Sequence, residues 1–594
     1  MRIENRNEEV AAVISLTELG YPTPSWADAR ALVETLNRDS AFIVLAQFNL
    51  FLAVASIQSY QNRDLGVRRW AQERLISSII SETRLREIRQ AVGGEADLLD
   101  RILVHRSLVM AALRLVAAHA QTEGGNKLEK REDFDILGEL ALVINGVTER
   151  EPTCQLTPCD IAAQLAPSRE LENHPDLGLT LARVERLLSV HLPRHLNTES
   201  AQRAEQVFTF VTNGFSFESF RDMTFAMFAY YSTLDLETVL KDQGITYLNP
   251  HNPASAVNAE ILEKFLGLMS VDIDHVPAFL ADGVPDERLL LDFTRFRERP
   301  FWRFRDGAYL CIDAAFVMEK LAEGAYWWLM EGQGPKDDPE SDERRGQFSA
   351  LWGYLFEDYV DEHLRHAHNG REEALHPHPF YSRPNEEAFD DVVVEGTDFV
   401  AIQCKSALLP IAAKYAGTCR PFVEGLNALF GTEPRAAIEQ LIRNCAFTFG
   451  LGGERRTLRG LSVDAIRKVY PVAIVQEPIL GFWLAAKLLV EPFVRQVATM
   501  AWRLDVEIRP VVFMTIEELE TIAAHINARE FTLVELLREK LGTDRDHMQS
   551  VDQFLNLKFL PSRGLKPRRN EFVAAILQAT KDGWMKRWES GVYS

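Results

Sequence analysis

Along the first 240 residues, apolar positions recur with the spacing of helices that bury one face. Segments 26–36 and 41–60 are long runs of this kind, and runs that alternate apolar and polar residues are few. Helical periodicity over such lengths predicts α-helices. Ser25, followed three residues later by Asp28, is typical of a helix start at which side chains satisfy free backbone amides. The region 1–240 is therefore predicted to be a mostly helical N-terminal domain.

The pattern changes in the next hundred residues. After a further helical portion, aromatic residues alternate with charged ones on both sides of Asp306 and Gly307. Asp-Gly between alternating runs predicts a β-hairpin, because both residue types tolerate the positive φ of a tight turn. A polar stretch rich in glycine, proline and acidic residues follows at 332–347 and is predicted to be a linker. Residues 241–345 are thus interpreted as a connecting region of helices and a hairpin.

Beyond residue 345, helical and strand-like patterns alternate. The predicted elements are helices at 351–367 and 435–449, strands at 389–394 and 398–405, and two apolar strands in VYPVAIV and RPVVFM. Such alternation is typical of an α/β domain around a mixed sheet, here predicted over 346–515. Thr515 with Glu518 predicts the capped start of a helical C-terminal region at 516–594. The chain as a whole is predicted to be an α+β multidomain protein.

Composition and charge narrow the class of protein. Of 594 residues, 46% are hydrophobic, which is enough to fill the cores of several domains. Acidic residues outnumber basic ones by 86 to 65, and the formal net charge of −21 does not favour general binding to polyanions. Two stretches, 452–470 and 561–570, are locally basic. For each of them, a solvated charged face and a phosphate contact both stay open.

No segment has the pattern of a signal peptide or a membrane span. The charged N-terminus lacks an apolar segment, so the protein is expected in the cytoplasm. The longest apolar run, 41–57, contains Gln47 and Asn49 and is short for a bilayer span, so it is predicted to be a buried core helix away from any membrane. The six cysteines are scattered, and reduced thiols are expected. Cys154 and Cys159 have no second pair at zinc-site spacing, which disfavours a zinc site.

Candidate chemistry begins with a carboxylate on the first helix of the predicted α/β domain. On that helix Glu357 shares a stripe with apolar residues, and Gly353 leaves room one turn before it. A carboxylate on an apolar stripe is costly unless it is paired or binds a cation. Glu357 is therefore a candidate metal ligand. The alternative, that it lies at the edge of the stripe and reaches water, stays open.

A second carboxylate opens the first of the two predicted strands, in the segment FDDVVV. Asp390 and Asp391 point to opposite faces of such a strand, so one of them is the candidate. Asp391 is chosen because the apolar run begins immediately after it. A single β-bulge would reverse that choice, and Asp390 is kept as a secondary candidate.

The next strand ends in Gln403, Cys404 and Lys405. The first and last of these are two residues apart, so they emerge on one face at roughly 7 Å. Lys405 can position a water or stabilise charge on a phosphate. Gln403 and the main-chain carbonyl of Cys404 can offer neutral oxygens to a hard cation. Polar residues that end a strand are commonplace, but the ordered set with both carboxylates indicates metal-assisted phosphodiester hydrolysis.

The motifs GYLFEDYVDEHL and FDDVVVEGTDFVAIQCKS resemble those of the PD-(D/E)XK nuclease superfamily, in the Gln-x-Lys form of Mrr-type restriction endonucleases. The resemblance covers about 346–515 and implies a restriction-endonuclease-like α/β core with a mixed sheet. It also implies that Glu357, Asp391 and Gln403 help to bind Mg²⁺ or Mn²⁺. The role that it implies for Lys405 is to assist the nucleophilic water.

The same resemblance extends to the helix after the catalytic strand, where a glutamine often faces the site. Gln440 and Asn444 lie four residues apart on one face of that helix and are secondary candidates. The alternative is that they are ordinary polar residues of an amphipathic helix. The chain departs from the family pattern in having glutamine for an acid and a long insertion at 408–434. The insertion is interpreted as a loop that contacts substrate.

The leading expectation is a Mg²⁺-dependent nuclease that acts on DNA, in a setting such as bacterial defence against foreign DNA. The helical N-terminal region would then recognise the substrate, bind a partner protein or form a homo-oligomer. The alternative is a catalytically degenerate nuclease-fold protein that acts as a scaffold or nucleic-acid sensor, which the acidic charge and the glutamine favour. A separate, less favoured hypothesis places a transition metal on His363 and His366 with a loop imidazole from His368, His376 or His378.

Overall fold

A computed structural model describes most of the chain. The described ranges are 12–62, 65–91, 101–148, 157–172, 177–195, 197–241, 247–251, 257–281, 284, 288–321, 323–335, 338–382, 386–451, 456–543 and 549–592. Cys154, which entered the zinc hypothesis, and Arg455, which belongs to the first basic stretch, lie outside these ranges. All structural statements below concern the described residues.

The part of the chain up to residue 241 is helical, as predicted, with a two-stranded parallel pair of β1 (Ala12–Val13) and β2 (Arg101–Ile102). Its helices are α1 Trp26–Val33, α2 Arg38–Asn62, α3 Leu65–Ile79, α4 Glu82–Ala91, α5 Arg106–His119, α6 Asp135–Thr148, α7 Pro158–Glu172, α8 Leu177–Glu185, α9 Leu192–Arg194, α10 Glu199–Val211, α11 Phe217–Ser232 and α12 Leu236–Lys241. At the start of α1, Asp28 accepts hydrogen bonds from the backbone and hydroxyl of Ser25. The predicted helix start is confirmed.

Helix α2 is the core helix that the apolar pattern predicts. By length and composition it could cross a membrane, but 89% of its most apolar window is buried inside the protein. Two of its polar side chains find partners there, since the Gln47 amide donates to the carbonyl of Val239 and the Asn49 amide to the carbonyl of Ile312. Among the described residues, no other helix is long and apolar enough to span a bilayer.

The middle of the chain forms a small mixed sheet with short helices. Its elements are β3 Tyr247–Leu248, α13 Ala259–Leu268, β4 Ser270–Asp272, α14 Val276–Leu280, α15 Thr294–Glu298, β5 Phe301–Arg303, β6 Tyr309–Cys311, α16 Ala314–Glu319 and α17 Glu323–Glu331. The strand order is β3-β6-β5-β4. Strands β5 and β6 pair antiparallel, and Gly307 between them has a φ of +84°, so the predicted hairpin is confirmed.

The predicted linker at 332–347 is wrong, because most of it belongs to a long helix, α18 (Pro339–Ala367). Asp338 caps this helix by accepting a hydrogen bond from the backbone of Ser341 at 3.1 Å. Pro339 occupies the first helical position, where its missing N–H costs nothing. Acidic residues in the first turn stabilise the helix, because their negative charge lies at the positive end of the helix dipole. The composition that suggests a linker is here that of a helix start.

After α18 the chain builds a six-stranded mixed sheet and then a helical end, as predicted. The elements are β7 Leu375–Pro377, β8 Asp391–Glu395, β9 Asp398–Lys405, α19 Ile411–Lys414, α20 Cys419–Phe430, α21 Ala437–Phe449, β10 Lys468–Val475, α22 Trp483–Thr499, β11 Glu507–Ile508, β12 Val512–Thr515, α23 Ile516–Asn527, α24 Leu533–Lys540, α25 Val551–Phe554, α26 Leu560–Ser562 and α27 Glu571–Glu589. The predicted capping pair of Thr515 and Glu518 is present at the start of α23.

The sheet order is β11-β10-β9-β8-β7, with β12 also paired to β10. Strand β8 pairs antiparallel with β7 and with β9, whereas β9, β10 and β12 are parallel. One face, with Ile402, shares its hydrophobic core with α18 and with the helical N-terminal part. The other face, with Ala401, packs against α21 and α22. The sheet is thus covered on both sides, and the division at 240, 345 and 515 stays a prediction.

A disulfide joins Cys159 in α7 to Cys419 at the start of α20, with Cα atoms 5.2 Å apart. The expectation of reduced thiols is therefore wrong for this pair. The sequence could not reveal it, because 260 residues separate the two cysteines. Cys311, Cys404 and Cys445 are buried free thiols, as expected.

Candidate active site

The strand register corrects the choice between the two adjacent aspartates. The carboxylate of Asp390 accepts hydrogen bonds from the Gln403 side chain and from the Cys404 backbone N–H, both at 2.5 Å. Asp391 lies on the opposite face, which packs in the core shared with α18. An apolar run tells nothing about the face here, because the strand is buried on both sides. Asp390, and not Asp391, therefore belongs with Gln403 and Lys405.

Glu357 and Lys405 complete the group around Asp390. Burial, followed by the charges of Asp390 and Glu387, raises the pKa of Glu357 above its usual range. Burial also raises the pKa of Asp390, against the hydrogen bond from Cys404. Burial lowers the pKa of Lys405, while the charges of Asp390 and Glu357 act in the opposite direction. These effects indicate that the three charged groups are close enough to influence one another in a poorly solvated place.

The space that Gly353 was predicted to leave is present. A Cβ atom at Gly353 would have Ser406 Oγ, at 3.9 Å, as its nearest neighbour. Ser406 follows Lys405 directly, so Gly353 faces the end of β9 across space that a methyl group could fill.

Asp391 is a buried carboxylate outside this group. Only 1% of it is exposed, and its Oδ1 has no hydrogen-bond partner among the described residues. Burial, followed by the charge of Asp361, raises its pKa well above the usual range, against the charge of His378. Asp361 lies four residues after Glu357 on α18, so the carboxylate that most affects Asp391 differs from the one that Asp390 affects.

Two further acidic residues that sequence reasoning missed lie near the group. Glu387 bonds the ring of His378 at 2.7 Å, and this bond raises the pKa of the imidazole to about 9. His378 has a φ of +45° and donates its backbone N–H to the carbonyl of Asp390 at 2.8 Å. The charge of Glu439 on α21 raises the pKa of Lys405. The Oε2 of Glu439 is buried without a hydrogen-bond partner among the described residues. The sequence feature that could have pointed to Glu439 is its position next to Gln440.

The secondary candidates on α21 have different surroundings. Gln440 has a buried side-chain oxygen without a partner in the described part of the chain. Asn444 is buried, and its main-chain carbonyl accepts a hydrogen bond from the Tyr381 hydroxyl. Helix α21 covers the same face of the sheet as Gln403. A role for either residue in the site stays a prediction.

The histidines of the alternative metal hypothesis have separate environments. His363 is buried between the rings of Tyr359 and Phe572. His366 stacks on Phe572, and a ring nitrogen of His368 bonds the carbonyl of Leu364. In the ranges that the structure covers, no group of three or more histidine, cysteine, aspartate or glutamate side chains is placed to hold a metal ion.

Of the two basic stretches, the first lies beside the site. The guanidinium of Arg456 stacks over Phe447 at 3.9 Å and pairs with Glu386. The backbone N–H of Arg459 donates to the carbonyl of Phe380 at 2.8 Å, so this exposed residue lies next to the loop that carries His378. The ion pairs of the remaining arginines are local: Arg467 with Asp505, Arg563 with Glu539, and Arg568 with Glu530.

The donor set suits a hard divalent cation. It consists of the carboxylates of Asp390 and Glu357, the amide oxygen of Gln403 and the main-chain carbonyl of Cys404, and Mg²⁺ prefers oxygen ligands, with one or two carboxylates beside water. A cation would also offset the burial, and the nearby negative charge, that raise the pKa values of Glu357 and Asp390. No family model, curated protein or solved structure matches this chain.

Proposed function

We propose that the protein is a divalent-metal-dependent nuclease that hydrolyses phosphodiester bonds of DNA. Its active site consists of Glu357, Asp390, Gln403 and Lys405. The observation that carries the proposal is the hydrogen bonding of Asp390 to Gln403 and Cys404, which ties the start of β8 to the Gln-x-Lys end of β9. The order of α18, three antiparallel strands, α21 and a parallel strand supports the resemblance to PD-(D/E)XK nucleases.

The residues have separable tasks in this reaction. A bound Mg²⁺ or Mn²⁺ would draw charge from a nonbridging phosphate oxygen and acidify a water. Asp390 is held in place by the two groups that donate to it, so its second oxygen can face the cation. Lys405, desolvated and next to Asp390 and Glu357, donates a hydrogen bond to the attacking water or to the charge that develops on the phosphate. Glu357 supplies the opposing carboxylate from α18.

Adjacent aspartates give the sharpest test of this assignment. Purified protein should nick plasmid DNA with Mg²⁺ or Mn²⁺ and not with EDTA. Lys405→Ala and Asp390→Asn should each lower cleavage by about 10²-fold or more, because each removes a preorganised charge. Asp391→Asn is the matched control and should retain cleavage, since Asp391 lies on the other face.

Undiminished cleavage by Lys405→Ala would remove this site from consideration. Loss of cleavage in Asp391→Asn together with retention in Asp390→Asn would reverse the assignment. If the wild-type protein cleaves no DNA or RNA with either metal, the scaffold or sensor alternative replaces the enzyme.

We extend the proposal to the rest of the chain. The helical first half would serve recognition or assembly, with a partner protein or a second copy, and defence against foreign DNA is the setting that the resemblance implies. A cytoplasmic location stays a prediction. A pull-down of the Lys405→Ala protein on DNA, followed by size-exclusion chromatography, would measure the substrate and the oligomeric state together.

A further inference from the structure

Two aromatic side chains are exposed beside the candidate active site. Tyr354 is 57% exposed and lies three residues before Glu357 on α18, and Phe380 is 37% exposed and follows His378 by two residues. Within the described part of 338–592, no other phenylalanine, tyrosine or tryptophan is as exposed as these two. A single exposed ring is ordinary, but both of these rings flank one polar site.

The helix places Tyr354 on the side of α18 that bears Glu357, because residues three apart are neighbours on a helix surface. The adjacent Gly353 has no side chain to cover the gap toward Ser406, whose Oγ is 3.9 Å from the position of a Cβ. Gly353 thus adds no side chain between the Tyr354 position and the end of β9. A flat group that stacks on this ring could continue into the site.

Phe380 lies in the connection between β7 and β8, which leads to Asp390. His378, two residues before Phe380, donates its backbone N–H to the carbonyl of Asp390. The charge of its ring lowers the pKa of Glu357. The backbone N–H of Arg459 donates to the main-chain carbonyl of Phe380, so the residue next to Phe380 at this point is cationic. An aromatic face next to a cation fits a nucleotide, whose base stacks while its phosphate pairs.

We infer that the substrate is single-stranded DNA, with bases that stack on Tyr354 and Phe380 on the two sides of the scissile phosphate. This inference rests on the proposed function and specifies its substrate. In a duplex the base faces are covered by their neighbours, so exposed rings can be used only by unpaired bases. Stacking also gives affinity without many phosphate contacts, which suits a chain with a net charge of −21.

The test compares a single strand with its duplex. Full-length Lys405→Ala protein, which binds without cutting, is titrated with a short fluorescent DNA strand and with the same strand in a duplex, in Mg²⁺. Single-strand binding should be tighter. In that background Tyr354→Ala or Phe380→Ala should weaken single-strand binding about tenfold, whereas Tyr354→Trp should retain it. The control Phe210→Ala removes a ring that is 82% exposed on α10 and should bind as the parent does.

The outcomes separate this inference from the proposed function. Equal affinity for strand and duplex, or unchanged binding by Tyr354→Ala and Phe380→Ala, overturns the single-strand inference. Duplex cleavage that needs Lys405 and not Tyr354 overturns it as well and leaves the nuclease proposal standing. Single-strand binding that depends on Tyr354, in a protein that never cleaves, supports the stacking surface and overturns the nuclease. Unchanged melting temperatures show that the variants are folded.

Discussion

His363 lies on the same helix as Glu357, and its imidazole is fully buried. Both ring nitrogens lack hydrogen-bond partners among the described residues. Its neighbours are the rings of Tyr359 and Phe572. Burial therefore lowers the pKa of His363 to about 3. The imidazole behaves as an apolar side chain and gains nothing from a charge.

The sign of its effect on stability follows from this lowered pKa. Below about pH 6.5 the unfolded chain takes up a proton that the folded protein refuses until about pH 3. His363 thus stabilises the fold fully above pH 6.5, and this contribution is lost as the pH falls. At pH 5 we expect a loss of about 2 kcal/mol.

His363→Leu should abolish this loss. The difference in free energy of unfolding between variant and wild type, measured with urea at pH 7.5 and again at pH 5, should shift by that amount in favour of the variant. The packing cost of the substitution cancels, because it is the same at both pH values. A difference that does not change with pH would mean that the folded protein accepts the proton.

Single residues also show how far the site could be foreseen. Gln403 and Lys405 were correctly placed on one face, because alternation along a strand is strict. The apolar stripe predicts that Glu357 needs a partner, and its place in the site stays a prediction. Asp391 was preferred to Asp390 because the apolar run begins after it, but which face of a doubly buried strand meets a distant helix depends on tertiary packing.

At the scale of elements, the main difference between prediction and structure lies at the start of α18. The segment before Gly353 was interpreted as a linker from its glycine, proline and acidic content. The pair Asp338 and Pro339 is itself a helix-start signal, and it outweighs composition. Hairpin turn and capping pairs were predictable because their chemistry is local. The Cys159–Cys419 bond was not, because only the folded chain brings its ends together.

Gly353 gives a prediction for this helix. A glycine inside a helix costs about 0.5–1 kcal/mol relative to alanine, and a Cβ here meets only Ser406 Oγ at 3.9 Å. Gly353→Ala should therefore raise the melting temperature and retain cleavage. Gly353→Phe should fill the opening and lower cleavage at least about tenfold without unfolding the protein.

The control for these variants is Gly138→Ala on α6. A Cβ there would collide with the carbonyl oxygen of Ile79, so the same substitution should lower the melting temperature. A destabilised Gly353→Ala would show that the space beside Glu357 is filled.

At the scale of the whole molecule, the helical first half and the sheet share a core. The bidentate ion pair of Arg183 in α8 with Glu520 in α23 is buried, and Tyr359 of α18 donates to the same carboxylate at 2.8 Å. Trp352 of α18 packs against Tyr326 of the middle region, with ring centroids 5.5 Å apart. A buried carboxylate that loses its arginine costs about 3–5 kcal/mol, so the parts depend on one another.

We therefore expect that fragment 346–594 does not fold alone, although its sequence looks like a separate domain. It would expose the face of α18 that Tyr326 covers and would remove Arg183 from the buried carboxylate of Glu520. Expressed by itself, it should be insoluble or lack a cooperative thermal transition, whereas the full chain should unfold in one calorimetric step. A soluble fragment that cleaves DNA would instead establish the boundary near residue 345.

The bond between Cys159 and Cys419 encloses every proposed active-site residue, since Glu357, Asp390, Gln403 and Lys405 all lie between its ends. A protease that nicks the chain anywhere inside this ring would not release a piece, because both sides of the nick remain covalently attached through sulfur. The nicked protein would keep its mass until a reductant opened the ring. In an oxidising medium, the site would thus survive a break in its own backbone.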